Sequence, residues 1–437
     1  MRNLLLAGVA LGAVSALVAA PARAQTPAAV FPVTTETDLA GYNGPSLNGA
    51  APGSVQVNLG GRTFSALYFQ NQFKKNQPQW AAAPQPQFMY YFFLYPGFDY
   101  ASPGGTHFGA QAEIRVTNSE QPSPTNSGYT VPTPFFHVAY TYVSSPVWGK
   151  VQFGTPAGAL VQNAVGTSDD FGTGVFFSWY NTGVNWVMAD APDNYTPTQK
   201  VVYTTPTFGG FLAAISWQPT EVSMNYSDGL TKYQNPDCGV DGTCLALQKD
   251  RVEIAAKYAG TFGAVGFKGN VGYVYAATEK GGDALGNPAT VAQDVSYGNV
   301  GLQFNFGGFE LEGSANFGRF NVAINGVGNP DGPLPRGAKN SKAWVVGAGY
   351  QTGPFKVGAV YYGQDYDAAD LGYTASPPGT KTGTMAGVGL GAAYTVGPGV
   401  VAYLDATTAR VYATDFTGTS FGKNTPSGLG IGTFFTW

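Results

Sequence analysis

The amino-acid sequence predicts an all-β chain: a transmembrane antiparallel β-barrel of about sixteen strands, with short turns at one end and long loops at the other. Three features carry that expectation. Apolar and polar residues alternate with a period of two over stretches of about ten residues or more, longer than the strands of most soluble sheets. Aromatic residues gather near the ends of those stretches, as at Tyr90-Tyr91-Phe92-Phe93, Tyr203, Trp217, Tyr273, Tyr361-Tyr362, Tyr394 and Phe434-Phe435, where rings anchor a membrane interface. Tight turns such as Gly307-Gly308, Gly353-Pro354 and Gly397-Pro398-Gly399 take turns with long polar connections.

The period is clearest in four places. In His107–Thr117, the residues Phe108, Ala110, Ala112, Ile114 and Val116 share one face, and His107, Gly109, Gln111, Glu113, Arg115 and Thr117 share the other. Val147, Gly149, Val151 and Phe153 oppose Trp148, Lys150, Gln152 and Gly154. Val252, Ile254, Ala256 and Tyr258 oppose Arg251, Glu253, Ala255 and Lys257. Phe309, Leu311, Gly313, Ala315 and Phe317 oppose Glu310, Glu312, Ser314 and Asn316. Greasy outside and polar inside is the pattern of a barrel with a wet lumen.

On this reading strands fall near 54–72, 86–95, 106–117, 133–144, 147–154, 198–206, 210–218, 250–259, 264–278, 295–306, 309–320, 342–352, 355–366, 384–396, 400–412 and 428–437. The last of them sets Leu429, Ile431, Thr433, Phe435 and Trp437 on one face and is expected to close the barrel against the first.

Composition agrees. Only 11% of residues are charged, 14% are aromatic, and glycine occurs 61 times, which is unlike a disordered chain. Beyond residue 24 no apolar run approaches the roughly 20 residues of a membrane helix. The mean hydropathy of -0.07 suits an average over a lipid face and a polar lumen.

The chain begins with Arg2, the apolar stretch Leu4–Ala20, and Ala22-Arg23-Ala24. These read as a secretory signal peptide, residues 1–24, cut before Gln25; an uncleaved anchor helix is the alternative. Residues 25–53 form a lead-in rich in Ala, Pro, Gly and Thr, and 54–437 the barrel. Cleavage would take the 22 basic residues to 20, against 26 acidic ones, so no nucleic-acid partner is expected.

With two histidines, His107 and His137, and two cysteines, Cys238 and Cys244, the means for catalysis or metal binding are scarce. An outer-membrane hydrolase would need a base beside a nucleophile. His107 lies near the short-turn end of its strand and reads as an interfacial polar residue, while His137 lies near the opposite end of the next strand. No enzyme activity, metal or cofactor is therefore expected. Cys238 and Cys244 share one long loop, and a loop-closing disulfide is expected in an oxidising compartment.

Several segments resemble the general diffusion porins of Gram-negative outer membranes. Lys200–Trp217, with Tyr203, Pro206, Phe208 and Gly209-Gly210, is similar to a hairpin of that family. Gly149–Gly154 resembles the strand that leads into its constriction loop, and Gly397-Pro398-Gly399 and Phe434–Trp437 also fit. The resemblance covers roughly residues 54 to 437. It implies a sixteen-stranded homotrimer in the outer membrane, in contact with lipids and lipopolysaccharide, passing small hydrophilic solutes. It also implies a third loop folded into the pore, and a C-terminal signal, Phe435 and Trp437, read by the barrel-assembly machinery. Family members usually end in Phe, from which Trp437 departs.

The long connection 154–197 stands at the constriction loop's place. It contains Asp169 and Asp170, and later Asp190 and Asp193. The expected constriction sets Asp169 and Asp170 against Arg62, Arg115 and Lys150, with Lys200 a weaker candidate and Glu113 a partner for Arg115. Glu310, Glu312 and Lys257 also face the lumen by period. Opposed charges across a narrow waist orient dipolar solutes and set ion preference. The alternative is a substrate-specific porin for sugars or small carboxylates, with Trp148, Trp179, Tyr180 and Trp186 as stacking faces. A third reading is a plugged, non-conducting barrel.

Overall fold

The computed structural model describes residues 50–71, 87–117, 134–166, 199–220, 247–279, 294–320, 340–367, 380–415, 420–425 and 427–437. Among them the chain forms β1 (Val55–Asn71), β2 (Gln87–Ala101), β3 (His107–Thr117), β4 (Phe135–Ser145), β5 (Gly149–Gly154), β6 (Lys200–Thr204), β7 (Phe211–Thr220), β8 (Leu247–Phe262) and β9 (Val265–Glu279). There follow β10 (Val295–Phe306), β11 (Phe309–Arg319), β12 (Ser341–Thr352), β13 (Phe355–Asp367), β14 (Thr380–Gly397), β15 (Val400–Asp415), β16 (Ser420–Asn424) and β17 (Ser427–Thr436).

Each strand from β1 to β15 pairs antiparallel with the next, β16 and β17 both pair with β15, and β17 pairs with β1 from Arg62↔Thr436 to Asn71↔Ser427. The sheet is therefore closed. Because β16 and β17 both lie beside β15, in line with one another, they make one broken stave, and the barrel has sixteen staves. Closure gives every ladder a partner, which a lipid surround demands.

The alternation read from the sequence is the inside–outside division of the wall. Phe153, Ile254, Leu311 and Phe317 are exposed on the outside, whereas Gln152, Glu253, Glu312 and Asn316 are buried inside. Ring pairs on the outer face, such as Phe211–Tyr258 at 4.5 Å, Phe267–Phe304 at 5.1 Å and Phe355–Tyr394 at 4.7 Å, lie near the short turns.

Several boundaries differ from the sequence reading. The second strand runs on through Pro96-Gly97 to Ala101 instead of ending at 95. Proline lacks the N–H of a ladder bond, and the cost is confined to one side: β2 pairs with β1 throughout, while its ladder to β3 omits Tyr95 and Pro96. Val147 and Trp148 belong to the turn before β5, so Trp148 is not a lumen residue; its carbonyl accepts a bond from Tyr203 Oη at 2.9 Å. The fourteenth strand starts at Thr380, four residues early, with a register shift between Thr380 and Thr382.

One patch of the inner wall departs from the polar-inside rule. At the seam, Phe64, Phe93, Tyr403 and Phe434 are buried together. Phe64 stacks on Tyr403 at 5.5 Å and meets Phe434 edge-on at 6.4 Å. Packed rings occupy that side of the lumen.

Candidate functional site: the segment inside the barrel

After Gly154 the chain turns inward and follows the inner wall. Thr155 holds the start: its N–H donates to Ala139 O at 2.8 Å, and its hydroxyl accepts from Ala139 N at 2.9 Å. Then come Pro156, Ala157, Gly158 and Ala159, small enough for the backbone to lie against the wall. A single 3-10 turn, Val161–Asn163, follows. The turn satisfies its own polar groups, with Asn163 Nδ2 donating to Ala159 O at 2.8 Å and Gln162 Nε2 to Ala157 O at 2.7 Å.

Three neighbouring staves hold the segment by the same device. Ala159 N–H donates to Ser216 Oγ of β7 at 3.1 Å, Leu160 N–H to Glu253 Oε2 of β8 at 3.0 Å, and Val165 N–H to Asn270 Oδ1 of β9 at 2.9 Å. Each acceptor is buried. Glu253 is fixed by Arg251, whose Nε donates to Glu253 Oε1 at 2.9 Å. Asn270 is oriented by an amide relay: its Nδ2 donates to Asn299 Oδ1 at 2.6 Å, and Asn299 Nδ2 to Asn316 Oδ1 at 2.9 Å.

Close approach is made possible by two wall glycines. A Cβ on Gly272 would run into the Leu160 side chain, and one on Gly301 into the Val165 carbonyl. Leu160 is fully buried in the space so left.

On the staves β1 to β3, Arg62, Phe93 and Arg115 are cross-strand partners in one row. Both guanidinium groups lie over the Phe93 ring, at 4.8 Å from Arg62 and 4.6 Å from Arg115, a cation–π arrangement. Arg115 Nε also donates to Glu113 Oε1 at 2.6 Å, with both side chains buried. Arg115–Glu113 on β3 and Arg251–Glu253 on β8 are thus two buried ion pairs of the same two-residue spacing.

Arg62, Arg115 and Glu113 are brought together as the sequence reading grouped them. Lys150 is not. It pairs with Ser144, which pairs with His107, so its row lies eight residues down β3 from Arg115, about 27 Å along the strand. Lys200 faces inward, buried, beside Gly154. Glu310 pairs with Lys356 at 3.3 Å, and Gln303 bridges Glu310 and Glu312.

His107 faces inward at the short-turn end of β3: Asp99 Oδ2 lies 2.7 Å from its Nδ1, and Tyr142 Oη donates to Asp99 Oδ1 at 2.7 Å. Asp169, Asp170, Asp190, Asp193, Trp179, Tyr180, Trp186, Cys238 and Cys244 lie outside the described residues.

Trp437 ends the closing stave. Its N–H donates to Gly61 O, and Gly61 N–H to Trp437 O, both at 3.1 Å. The indole covers Gly61 on the outer face and meets Phe92 at 5.6 Å.

A closed barrel of sixteen staves with an inward segment after the fifth sets a narrow choice of family, and the comparison with family models decides it: the model for Gram-negative porins matches residues 10–413. The chain belongs to the Gram-negative porin family. It is accordingly an outer-membrane channel.

Solved porins share its fold. An anion-selective porin from Comamonas acidovorans is 16% identical, with a TM-score of 0.52 over 88% of this chain and 100% of that one. OmpF of Salmonella typhi, solved in complex with daunomycin, is 13% identical, with a TM-score of 0.53 over 87% and 97%. OmpT of Vibrio cholerae, in its trimer form, is 13% identical, with a TM-score of 0.50 over 88% and 99%. At such identities the likeness concerns the fold. No curated protein matches the sequence.

Proposed function

We propose that this porin is a general diffusion channel, a water-filled path for ions and small hydrophilic solutes, narrowed by the segment that follows β5. The observation that carries the reading is the line of three wall acceptors, Ser216, Glu253 and Asn270, each taking a backbone N–H of residues 159–165. A segment bound to the wall at three points narrows the lumen while leaving the rest of the cross-section to water.

Asp169 and Asp170 follow Gly166 by a few residues. In this reading they face Arg62 and Arg115 across the waist, and the transverse field selects solutes by dipole and charge. Lys150, a strand length away, belongs to the short-turn mouth.

The proposed assembly is a homotrimer, the form in which Vibrio cholerae OmpT was solved. Residues 1–24 direct export, 25–53 lead into the barrel, and Phe435 and Trp437 present the assembly signal to the barrel-assembly machinery. Lipids and lipopolysaccharide surround the outer face, and Cys238 and Cys244 close a loop. Swelling of proteoliposomes in small neutral solutes tests the diffusion reading: rates should fall smoothly with solute size. Failure to swell in any solute would refute it.

A further inference from the structure

Carboxylates of the inner wall are tied to their neighbours. Glu113 is paired with Arg115 at 2.6 Å, Glu253 with Arg251 at 2.9 Å and Glu310 with Lys356 at 3.3 Å. Gln303 bridges Glu310 and Glu312. Two lysines of the same wall stand outside this scheme. Lys257 of β8 shares the face of Arg251 and Glu253, and Lys268 of β9 shares the face of Asn270, so both are lumen residues. Among the described residues neither is held in an ion pair or a hydrogen bond.

The two are set side by side. Lys257 is opposite Asn270 in the ladder, and Lys268 follows two residues away on β9. Such diagonal neighbours lie about 7–8 Å apart at the backbone, within reach of long side chains, and their two positive charges repel. Lys268 is exposed and Lys257 half-buried. Their cross-strand neighbours bring no charge: Leu212 of β7 is opposite Lys257, and Gln303 of β10 is opposite Lys268. The Asn270 amide is already taken, by Val165 N–H and by Asn299.

Height in the barrel gives the pair its place. Lys257 is four residues from Glu253, and Lys268 two from Asn270, both toward the short turn that joins β8 to β9. They therefore stand about 7–13 Å below the points that hold the inward segment. An ion that leaves or enters the waist on this side meets them. Two like charges side by side in a water-filled, low-dielectric sleeve concentrate counter-ions. A monovalent anion answers one of them. A doubly charged oxyanion answers both and accepts a charge-assisted hydrogen bond from each.

We propose that Lys257 and Lys268 form an anion-binding step in the short-turn half of the lumen, with preference for a doubly charged oxyanion, phosphate or sulfate, over chloride. The inference rests on the channel reading and adds to it a charged ligand class at a place apart from the waist.

The test is single-channel current in a planar bilayer, in about 0.1 M potassium chloride so that screening is modest. Inorganic phosphate is added at about pH 8, where its second proton is largely lost. Potassium chloride added to the same ionic strength is the control. Phosphate should lower the current and saturate, whereas added chloride should only raise it with bulk conductivity. Lys257→Gln and Lys268→Gln should each raise the half-blocking phosphate concentration about tenfold, as loss of one charge-assisted hydrogen bond implies. Lys268→Arg keeps the charge and should keep the block.

Phosphate that acts only through bulk conductivity in the wild-type protein would overturn the inference. So would saturable block unchanged in Lys268→Gln, or lost equally in Lys268→Arg. If Lys257→Gln does not assemble, the exposed Lys268 and its two variants still decide. Absence of any current is a different failure: it would count against the channel reading itself.

Discussion

Replacing Glu253 with Leu should loosen the waist without opening the barrel wall. Three bonds tie residues 159–165 to the wall. The two neutral acceptors contribute about 1 kcal/mol each and the buried carboxylate about 1.5–3 kcal/mol. Together they hold the segment by about 3.5–5 kcal/mol, so it is released about 0.3% of the time or less. With the carboxylate gone about 2 kcal/mol is left, and the released fraction rises to about 3%. Burial of Leu160 lowers both figures and leaves their ratio.

The readout is single-channel current at fixed voltage. Brief excursions from the main level should become at least about tenfold more frequent in Glu253→Leu. Leu at 253 also takes from Arg251, which is 2% exposed, the carboxylate it is paired with, and breaking a buried ion pair from one side is costly. The double variant Arg251→Met/Glu253→Leu removes the pair as a unit and should show the same excursions with better stability. Traces like wild type in both variants, with barrels folded normally by heat-modifiable mobility on gels, would refute the pinning.

Other consequences follow from the same geometry. Gly272→Val drives a side chain into Leu160 and should destabilise by about 1–3 kcal/mol, seen as earlier loss of the compact gel form on heating; adding Leu160→Ala should restore much of it. Trp437→Ala uncovers Gly61 and should lower the yield of folded barrel in the membrane fraction, while Trp437→Phe keeps a ring against Phe92 and should fold nearly as well. Asp169→Asn with Asp170→Asn should move the reversal potential in a salt gradient toward anions; an unmoved potential would detach the acidic pair from the waist.

The barrel was legible because lipid outside and polar groups inside impose a period of two, which a single sequence displays. His107–Thr117 and Phe309–Phe317 divide between the two faces as their alternation indicates. What escaped was set by contacts across the lumen. Pro96 reads as a strand end, and only the geometry of β2 reveals that its missing donor faces a gap in one ladder. Ser216 and Asn270 look like ordinary wetting residues on polar faces. Their role needs the path of the segment, which joins residues 57 and 105 positions apart.

A trace of that path was nevertheless present. Glu113-x-Arg115 and Arg251-x-Glu253 repeat one buried pairing on two staves, and glycines interrupt the lumen face at Gly272 and Gly301, where the segment passes. Lys150 shows the converse. Its polar-face position was right, but the stagger of the staves sets it far from Arg115, and alternation carries no information on height. The seam rings Phe64, Tyr403 and Phe434 break the polar-inside rule because they pack on one another, a tertiary fact that no local pattern states.

The most direct test of the whole account is the conductance of the purified protein in a planar bilayer over a range of potassium chloride concentrations. A water-filled porin predicts discrete, ohmic steps whose size rises in proportion to bulk conductivity, in groups of three if the assembly is trimeric. A folded protein that inserts and yields no steps, or steps that saturate with salt at low concentration, would contradict an open aqueous path beside the pinned segment.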